Sequence, residues 1–320
     1  MGASVKGLVA PYSRAVPPVP GKSPITLGML LPFGPGLVSG PFLRDFAAIL
    51  EGEGVDSVWA VEHVVVAAQY EPNYPYSADG RMPSAAGVVP MPDPLEVLSH
   101  LAATTERLLL GTCVVVAPLH SPAVLAKRAA TLDLLSGGRL RLGLGIGWQR
   151  EEYAAVGAPF ERRGQRLEEC VGAMRALWTD DPATYEGRTV SFRDVHLTLR
   201  PMDGKVPILL GGNSEPAIRR AGRIADGWFP YTIGPEDFAR GADLLRRSAE
   251  AADRSPDDID ITVWPGSFDP TRELDPDWMR QYVDAGARRF IVRPKVGQPS
   301  DLDRLPKQIQ QFRSTVLAAL

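Results

Sequence analysis

The sequence predicts an α/β protein built as a (β/α)8 barrel of the TIM type, and three observations lead to this expectation. Short apolar runs of strand length alternate with segments of helical periodicity, and the alternation repeats eight times. The strand-like runs are apolar throughout, which is typical of parallel strands that are covered on both faces. The chain has 320 residues, which suits a single barrel domain. A doubly wound open sheet is the alternative fold.

The predicted elements can be placed by their composition and by the signals at their ends. The strand-like runs are residues 25–31, 55–63, 108–116, 139–147, 206–210, 227–231, 260–264 and 289–292. The helical segments are residues 41–54, 121–136, 162–178, 214–224, 235–252, 276–285 and 302–320, together with one that begins at residue 93. Asp93 and Ser121 each precede a proline, so each is expected to cap a helix, and Glu96 is expected to reach back to its own cap. Gly137 is expected to end the third helix.

Three segments depart from the alternation. Residues 64–92 carry Tyr70, Tyr74, Tyr76 and five prolines without a clear period, which predicts a long loop of the kind that often serves as a lid. Residues 180–205 predict a short β excursion after the fourth helix. Residues 1–24 are proline-rich and predict a mobile leader. The expected organisation is therefore this leader followed by one barrel domain over residues 25–320.

The composition excludes several classes of protein. With 44% hydrophobic and 23% charged residues the chain is not a disordered one, and a net charge of −3 argues against a nucleic-acid partner. No apolar run reaches about 18 residues, and no signal peptide is recognisable, so no membrane partner is expected. The two cysteines form neither a disulfide framework nor a zinc spacing, which favours a reducing, cytoplasmic compartment and no bound metal.

In a barrel of this type the chemistry belongs at the carboxyl ends of the strands. Gly211, Gly212, Asn213 and Ser214 follow the fifth predicted strand. Two glycines allow a close backbone approach, and the helix that begins after Ser214 presents free N–H groups, so this segment suits an anion such as a phosphate. A tight strand-to-helix turn without a ligand explains the same residues equally well.

Glycines alternate along the fourth predicted strand, at Gly143, Gly145 and Gly147. Alternate positions share one face of a strand, so this face is bare backbone. Such a face suits a flat ring lying at the barrel mouth, but close packing inside the barrel is the explanation that this feature alone favours. The spacing is not that of a dinucleotide-binding fingerprint.

Glu62 and His63 stand at the end of the second predicted strand. They suit an acid/base pair, although a polar strand end without a function is the simpler alternative. Glu62 with Glu151 or Glu152 is a further alternative, as the carboxylate pair of a glycosidase. His120 follows the third strand and could reach a ligand, whereas Cys113 is expected to be a buried, inert thiol.

Several motifs, one for each βα unit and in the same order, resemble the bacterial luciferase-like oxidoreductase superfamily. In detail they resemble its actinobacterial branch, which uses the deazaflavin coenzyme F420. The resemblance covers about residues 25–235. It is carried by residues 59–63 (WAVEH), 110–118 (LGTCVVVAP), 122–127 (PAVLAK), 130–140 (ATLDLLSGGRL), 143–148 (GLGIGW), 151–153 (EEY), 211–214 (GGNS) and 225–230 (ADGWFP).

The resemblance implies a cofactor ring in the barrel mouth. It places the ring against a backbone bulge in the third strand and the cofactor phosphate near residues 211–214. Glu62 and His63 match the acidic–histidine pair near the ring, so they are the expected catalytic residues, with His63 as proton donor. The expected cofactor-binding residues are Trp59, Thr112, Cys113, Val114, Gly145, Gly147, Trp148, Gly211, Gly212, Asn213 and Ser214. For the bulge we expect a non-prolyl cis peptide at or beside Cys113–Val114.

The function implied by the resemblance is hydride transfer between F420 and a small organic substrate. An FMN-dependent monooxygenase that uses O2 and a cofactor-binding protein without turnover are the alternatives. Trp148 stands where the sugar-phosphate dehydrogenases of this branch carry a catalytic glutamate, so a sugar phosphate is not the expected substrate. Lys127 and Arg150 are candidates for binding the anionic coenzyme tail, and the chain is expected to form a homodimer.

Overall fold

The computed structural model describes residues 25–82 and 90–320. The expected leader, residues 1–24, lies outside these ranges, as do residues 83–89 of the long loop. Eleven strands are present in the described part of the chain. They are β1 (Thr26–Leu30), β2 (Ser57–Ala60), β3 (Leu109–Thr112), β4 (Val115–Val116), β5 (Leu140–Gly145), β6 (Ala183–Glu186), β7 (Ser191–Val195), β8 (Ile208–Gly211), β9 (Gly227–Phe229), β10 (Asp260–Val263) and β11 (Arg289–Val292).

Nine of these strands form a closed parallel barrel. The order around the barrel is β3-β2-β1-β11-β10-β9-β8-β5-β4, and an additional pairing of β3 with β5 closes the ring. Since β3 and β4 both pair with β5, they are two halves of one barrel strand. The predicted (β/α)8 barrel is therefore confirmed, and the alternative of an open doubly wound sheet is wrong. The predicted excursion is also present, as the antiparallel hairpin of β6 and β7.

Helices surround the barrel and follow the expected order. They are α1 (Gly40–Gly52), α2 (Pro94–Ala102), α3 (Pro122–Ser136), α4 (Arg150–Ala155), α5 (Arg163–Thr179), α6 (Glu215–Ile224), α7 (Pro235–Glu250), α8 (Pro276–Asp284) and α9 (Leu305–Phe312). Asp93 caps α2 as predicted, since its Oδ1 accepts from the N–H groups of Leu95 and Glu96 at 2.9 and 3.1 Å. Gly137 ends α3 with φ at 68°.

Three expectations about the helices need correction. Glu96 pairs with Arg128 at 3.0 Å, so the capping box predicted for α2 is not formed. The six-residue helix α4 is absent from the predicted elements. The last predicted helix, residues 302–320, is interrupted, because α9 ends at Phe312 and a π-helical turn follows over Arg313–Leu317.

Within residues 25–82 and 90–320, no helix is both long and apolar enough to cross a membrane.

Trp59 fills the interior of the barrel below its mouth. It is fully buried, its indole N–H donates to the Ser57 hydroxyl at 2.8 Å, and its ring stacks on Phe229 at 5.8 Å. A Cβ on Gly28 or Gly111 would collide with neighbouring side chains that include this indole, so both positions require glycine. Trp59, expected as a cofactor contact, thus lies in the apolar floor beneath the mouth. Its apolar neighbours there include Leu30, Leu209, Phe229 and Ile291.

Candidate active site

The third barrel strand breaks at the mouth, between β3 and β4. The peptide bond between Cys113 and Val114 is cis, as the resemblance predicts. The Thr112 hydroxyl donates to the carbonyl of Gly143 at 2.7 Å and ties this segment to β5. The Cys113 thiol is partly buried, and desolvation raises its pKa, which agrees with the expectation of an inert thiol.

The Val114 side chain occupies the bare face of the fourth predicted strand. A Cβ on Gly145 would stand 2.5 Å from Val114 Cγ2, and one on Gly211 would stand 3.3 Å from Val114 Cγ1. A Cβ on Gly143 would collide with the carbonyl oxygen of Thr112. Of the two explanations for the alternating glycines, close packing inside the barrel is therefore the one that the geometry supports. Val114 forms a ridge in the mouth, above the apolar floor.

Glu62 connects the end of β2 to the segment that follows this ridge. Its side chain is 4% exposed, with Oε2 accepting from the N–H of Val116 at 2.7 Å and Oε1 lying 2.9 Å from Nε2 of His120. His120, which the sequence placed within reach of a ligand, therefore contacts Glu62. The carboxylate of Glu62 holds two parts of the mouth together at the side of the ridge.

His63 is held by a carboxylate that sequence spacing alone does not single out. Its Nδ1 lies 3.1 Å from Oε2 of Glu152, and Oε1 of the same carboxylate accepts from the N–H of Val64 at 2.7 Å. Glu152 belongs to α4 and its side chain is only 1% exposed. The His63 ring also lies edge-on to Trp148, with centroids 6.2 Å apart. This arrangement fixes the ring and leaves Nε2 as the nitrogen that can exchange a proton with a ligand.

The glycosidase alternative does not suit this geometry. That mechanism needs two carboxyl groups that face each other across a substrate bond. Glu62 and Glu152 each contact a histidine and accept from a backbone N–H instead. Glu151 Oε1 accepts from the N–H of Glu71 at 3.4 Å. The carboxylates of this mouth therefore position histidines and loops.

Six aromatic side chains line the mouth, and we call them the aromatic collar. They are Tyr70, Tyr74, Tyr76, Trp148, Tyr231 and Trp264. On one side, Trp148 packs edge-on against Tyr70 and Tyr74, with both centroid distances at 5.1 Å. Gly147, at φ 62°, allows the turn that presents Trp148, and a Cβ there would stand 2.7 Å from Val116 Cγ1.

The other side of the collar continues across the mouth. Tyr74 lies 5.4 Å from Tyr76, which lies 4.7 Å from Tyr231, and Tyr231 lies 5.7 Å from Trp264. Burial raises the pKa of Tyr74, with Tyr231 as a further cause, and burial also raises that of Tyr76. Both phenols are therefore neutral over the whole physiological range of pH.

Hydrogen bonds attach the described part of the long loop to the rest of the mouth. The N–H of Ala67 donates to Oε1 of Gln149 at 3.2 Å, directly before α4. Within the loop, the Tyr70 hydroxyl accepts from the N–H of Met82 at 3.0 Å. The bond from Ala67, together with that from Val64 to Glu152, places the loop over the strand ends, where a lid is expected.

The segment between β8 and α6 is the one expected to bind an anion. Gly212 has φ at 112°, a conformation that favours glycine, and its carbonyl accepts from the indole N–H of Trp228 at 3.0 Å. The side-chain amide of Asn213 donates to the carbonyl of Tyr231 at 2.5 Å and accepts from the N–H of the same residue at 3.1 Å. Ser214 stands at the N-cap of α6, and its hydroxyl makes no capping bond. A cavity of about 460 Å³ adjoins this segment.

The two basic residues considered for the coenzyme tail already have partners. Arg150 pairs with Glu161 at 2.7 Å, and its guanidinium lies 4.3 Å from the ring centroid of Phe160. Lys127 donates to the Thr198 hydroxyl at 2.6 Å. Their assignment to the tail stays a prediction, and these contacts do not favour it.

Glu273 is a further titratable group at the rim, after β10, and it is not among the site residues expected from the sequence. A Cβ on Gly266 would collide with its carboxyl oxygen and stand 3.3 Å from Nε1 of Trp264. Burial raises the pKa of Glu273 from 4.5 to about 7, against the opposing effects of Lys295 and of a backbone hydrogen bond from Arg293. No local motif marks this glutamate, because its surroundings come from two different strand ends.

This raised pKa predicts a pH-dependent stability. The folded state holds the Glu273 proton more tightly than the unfolded state does. Protonation of Glu273 therefore contributes its full stabilisation of the folded state below pH 4.5, and this contribution is lost as pH rises through 7. Glu273→Gln should remove this dependence and make the protein more stable than the unchanged chain at pH 8, by on the order of 2 kcal/mol. Urea denaturation at pH 5 and pH 8 measures it. Glu250→Gln, at an exposed position, is the control, and parallel pH profiles for both variants would contradict the prediction.

The fold and the mouth together define a class: a (β/α)8 barrel with a broken third strand, a histidine–carboxylate pair and a glycine-containing turn before α6 at the strand ends. The chain belongs to the luciferase-like monooxygenase family, whose model matches residues 26–299. It is an oxidoreductase family. The match agrees with the resemblance seen in the sequence.

One relative and two solved structures show what this chain is similar to. The chain is 32% identical to an F420-dependent glucose-6-phosphate dehydrogenase of Beutenbergia cavernae, over 85% of this chain and 77% of the relative. An F420-dependent secondary alcohol dehydrogenase has a similar structure, with a TM-score of 0.71 at 17% identity, over 93% of this chain and 99% of the other. The monooxygenase RslO1 of Streptomyces bottropensis has a TM-score of 0.70 at 21% identity, over 92% of this chain and 99% of the other. These two structural similarities support the fold.

Proposed function

We propose that this protein binds the deazaflavin coenzyme F420 in the barrel mouth and transfers a hydride between it and a small organic substrate. The observation that carries the proposal is the position of His63. Glu152 fixes its ring at a strand end, and the neighbouring Glu62 holds the segment that follows the Val114 ridge. The F420-dependent relative of Beutenbergia cavernae supports the choice of coenzyme.

The residues present fit such a coenzyme. The ridge at Val114, with Thr112 and Cys113 beside it, offers a support for a flat ring above the apolar floor. Gly212 and Ser214, with the free N–H groups of α6, offer a site for a phosphate, because the Ser214 hydroxyl does not already cap the helix. When bound, the reduced coenzyme supplies a hydride, which is one proton with two electrons.

The side chains of the mouth have separate tasks in this proposal. His63 holds a proton at Nε2 and gives it to the substrate atom that becomes negative as the neighbouring carbon accepts a hydride. Glu152 fixes the orientation of the ring through Nδ1. Glu62 keeps the segment after the ridge in place through Val116, and the collar keeps water out.

Coenzyme choice is the first test of this proposal. We expect F420 to bind at least tenfold more tightly than FMN, because Glu62 and His63 match the pair that deazaflavin enzymes carry. Equilibrium titration of the purified chain with each compound, followed by the absorbance of the ring, measures both dissociation constants. Equal or tighter binding of FMN would contradict the prediction and favour the FMN-dependent monooxygenase, an alternative that the family name and the similarity to RslO1 support.

Turnover separates an enzyme from a protein that only binds the coenzyme. The purified chain is mixed with reduced F420 and a set of activated alkenes and carbonyl compounds in the absence of air. We expect the coenzyme to be oxidised at the rate at which one of these compounds is reduced.

The proposed homodimer is tested on the same preparation by analytical ultracentrifugation.

A further inference from the structure

We infer that the substrate is a planar, uncharged ring compound held by the aromatic collar. The inference rests on the proposed function, since it names the substrate class for the same mouth. Three independent features of the described residues support it: the continuity of the collar, the pairing of the charged groups around it, and the attachment of the loop that carries three of its rings.

The collar is a continuous aromatic surface and not a set of scattered rings. Its members come from the segments that follow β2, β5, β9 and β10, so they meet only in the folded barrel. Neighbouring centroids are 4.7 to 5.7 Å apart from Tyr70 to Trp264. Rings at these distances present faces and edges on which a further planar ring can pack, whereas a puckered saturated ring contacts such faces with fewer of its atoms.

The charged groups around the collar are unsuited to a phosphorylated substrate. Arg150 pairs with Glu161, and His63 and His120 face Glu152 and Glu62. Throughout residues 25–82 and 90–320, the guanidinium groups that stack on aromatic rings lie over Phe160, Trp278 and Trp59, and none lies over a collar ring. Glu273 adds a carboxyl group at the Trp264 end. An anionic substrate would meet the carboxylates of Glu62 and Glu152 there, and the lysine near the Trp264 end, Lys295, already interacts with Glu273.

The loop that carries Tyr70, Tyr74 and Tyr76 is attached to the barrel by hydrogen bonds from Val64 and Ala67. The collar is therefore a built surface whose geometry can select a substrate. Trp148 contributes to this surface a ring that packs edge-on against Tyr70 and Tyr74.

The experiment compares three probes that share one carbon skeleton. 2-Naphthol is planar and uncharged, 2-decalol is its saturated, puckered counterpart, and 2-naphthyl phosphate is planar and charged. Equilibrium dialysis of the full chain, with and without saturating F420, gives the three dissociation constants. We expect 2-naphthol to bind at least tenfold more tightly than either of the others. Because 2-decalol buries at least as much apolar surface, non-specific hydrophobic binding would not produce this order.

Variants at one collar position identify the surface that binds. Tyr76→Leu should weaken the binding of 2-naphthol about fivefold and leave that of 2-decalol within twofold, because an aromatic contact is lost. Tyr76→Phe keeps the ring and should restore the affinity. Tyr185→Leu, on β6, removes a tyrosine ring outside the collar and should leave all three constants unchanged.

The outcomes distinguish the inference from the proposed function. Similar affinities for 2-naphthol and 2-decalol, tighter binding of 2-naphthyl phosphate, or equal losses in the Leu and Phe variants would each overturn the inference. Binding of F420 is read separately from its own absorbance. If F420 does not bind while 2-naphthol is still preferred, the proposed function fails and the assignment of a planar, uncharged ligand to the collar is retained.

Discussion

Replacing Gly212 with aspartate is expected to weaken binding of the coenzyme by about a thousandfold, which corresponds to about 4 kcal/mol. The carboxylate would stand beside the N-terminus of α6, where the coenzyme phosphate is proposed to bind, and the two negative charges would repel each other. Gly212 also has φ at 112°, and a Cβ there would stand 2.9 Å from Cβ of Ala217. Titration with F420 measures the loss.

Gly212→Asn is the matched control for this variant. Asparagine has the size of aspartate and suffers the same backbone strain, so the difference between the two variants reports the charge alone. Circular dichroism and thermal unfolding establish that both variants fold. If the folded aspartate variant binds F420 as tightly as the unchanged chain, the phosphate does not bind at residues 211–214.

Removal of the His63 side chain is expected to lower turnover by about 10²- to 10⁴-fold while leaving the affinity for F420 largely intact. His63→Ala deletes the proposed proton donor, but Glu62 still holds Val116, so the segment after the ridge is preserved. Single-turnover oxidation of reduced F420 gives the rate, and titration gives the affinity.

The control for this variant is His100→Ala, which removes a histidine whose Nε2 contacts the carbonyl of Gly40 at the start of α1. Its turnover should equal that of the unchanged chain. A His63→Ala protein that turns over at the same rate as the His100 variant would show that the proton comes from another group, such as Glu62 or water.

The fold was predictable because its signals are local. Asp93 followed by proline, and Gly137 after an apolar periodic segment, mark helix ends without any tertiary information. The strand-like run at 289–292 coincides with β11 for the same reason. The helix α4 escaped prediction because it has only six residues and its N-cap, Gln149, is not a residue type that signals a helix start.

The sequence indicated which residues lie at the candidate site, but it did not indicate which of them contact one another. Glu62 and His63 were recognisable at a strand end, but the partner of His63 lies 89 positions away along the chain. Only the turn of α4 decides that Glu152, and not Glu151, faces that histidine. Glu273 was not recognisable at all, because its raised pKa depends on burial, which no local pattern records.

Val114 packs against Gly145 and Gly211, so the size of the residue at each of these three positions limits the size of the other two. A larger residue at Gly145 would stand where the methyl groups of Val114 lie, so a single change on either side leaves a collision or a cavity. In related sequences these positions should therefore change together, with a side chain appearing at Gly145 only where Val114 has become smaller. Redesign of the mouth for another ring shape has to begin with paired substitutions.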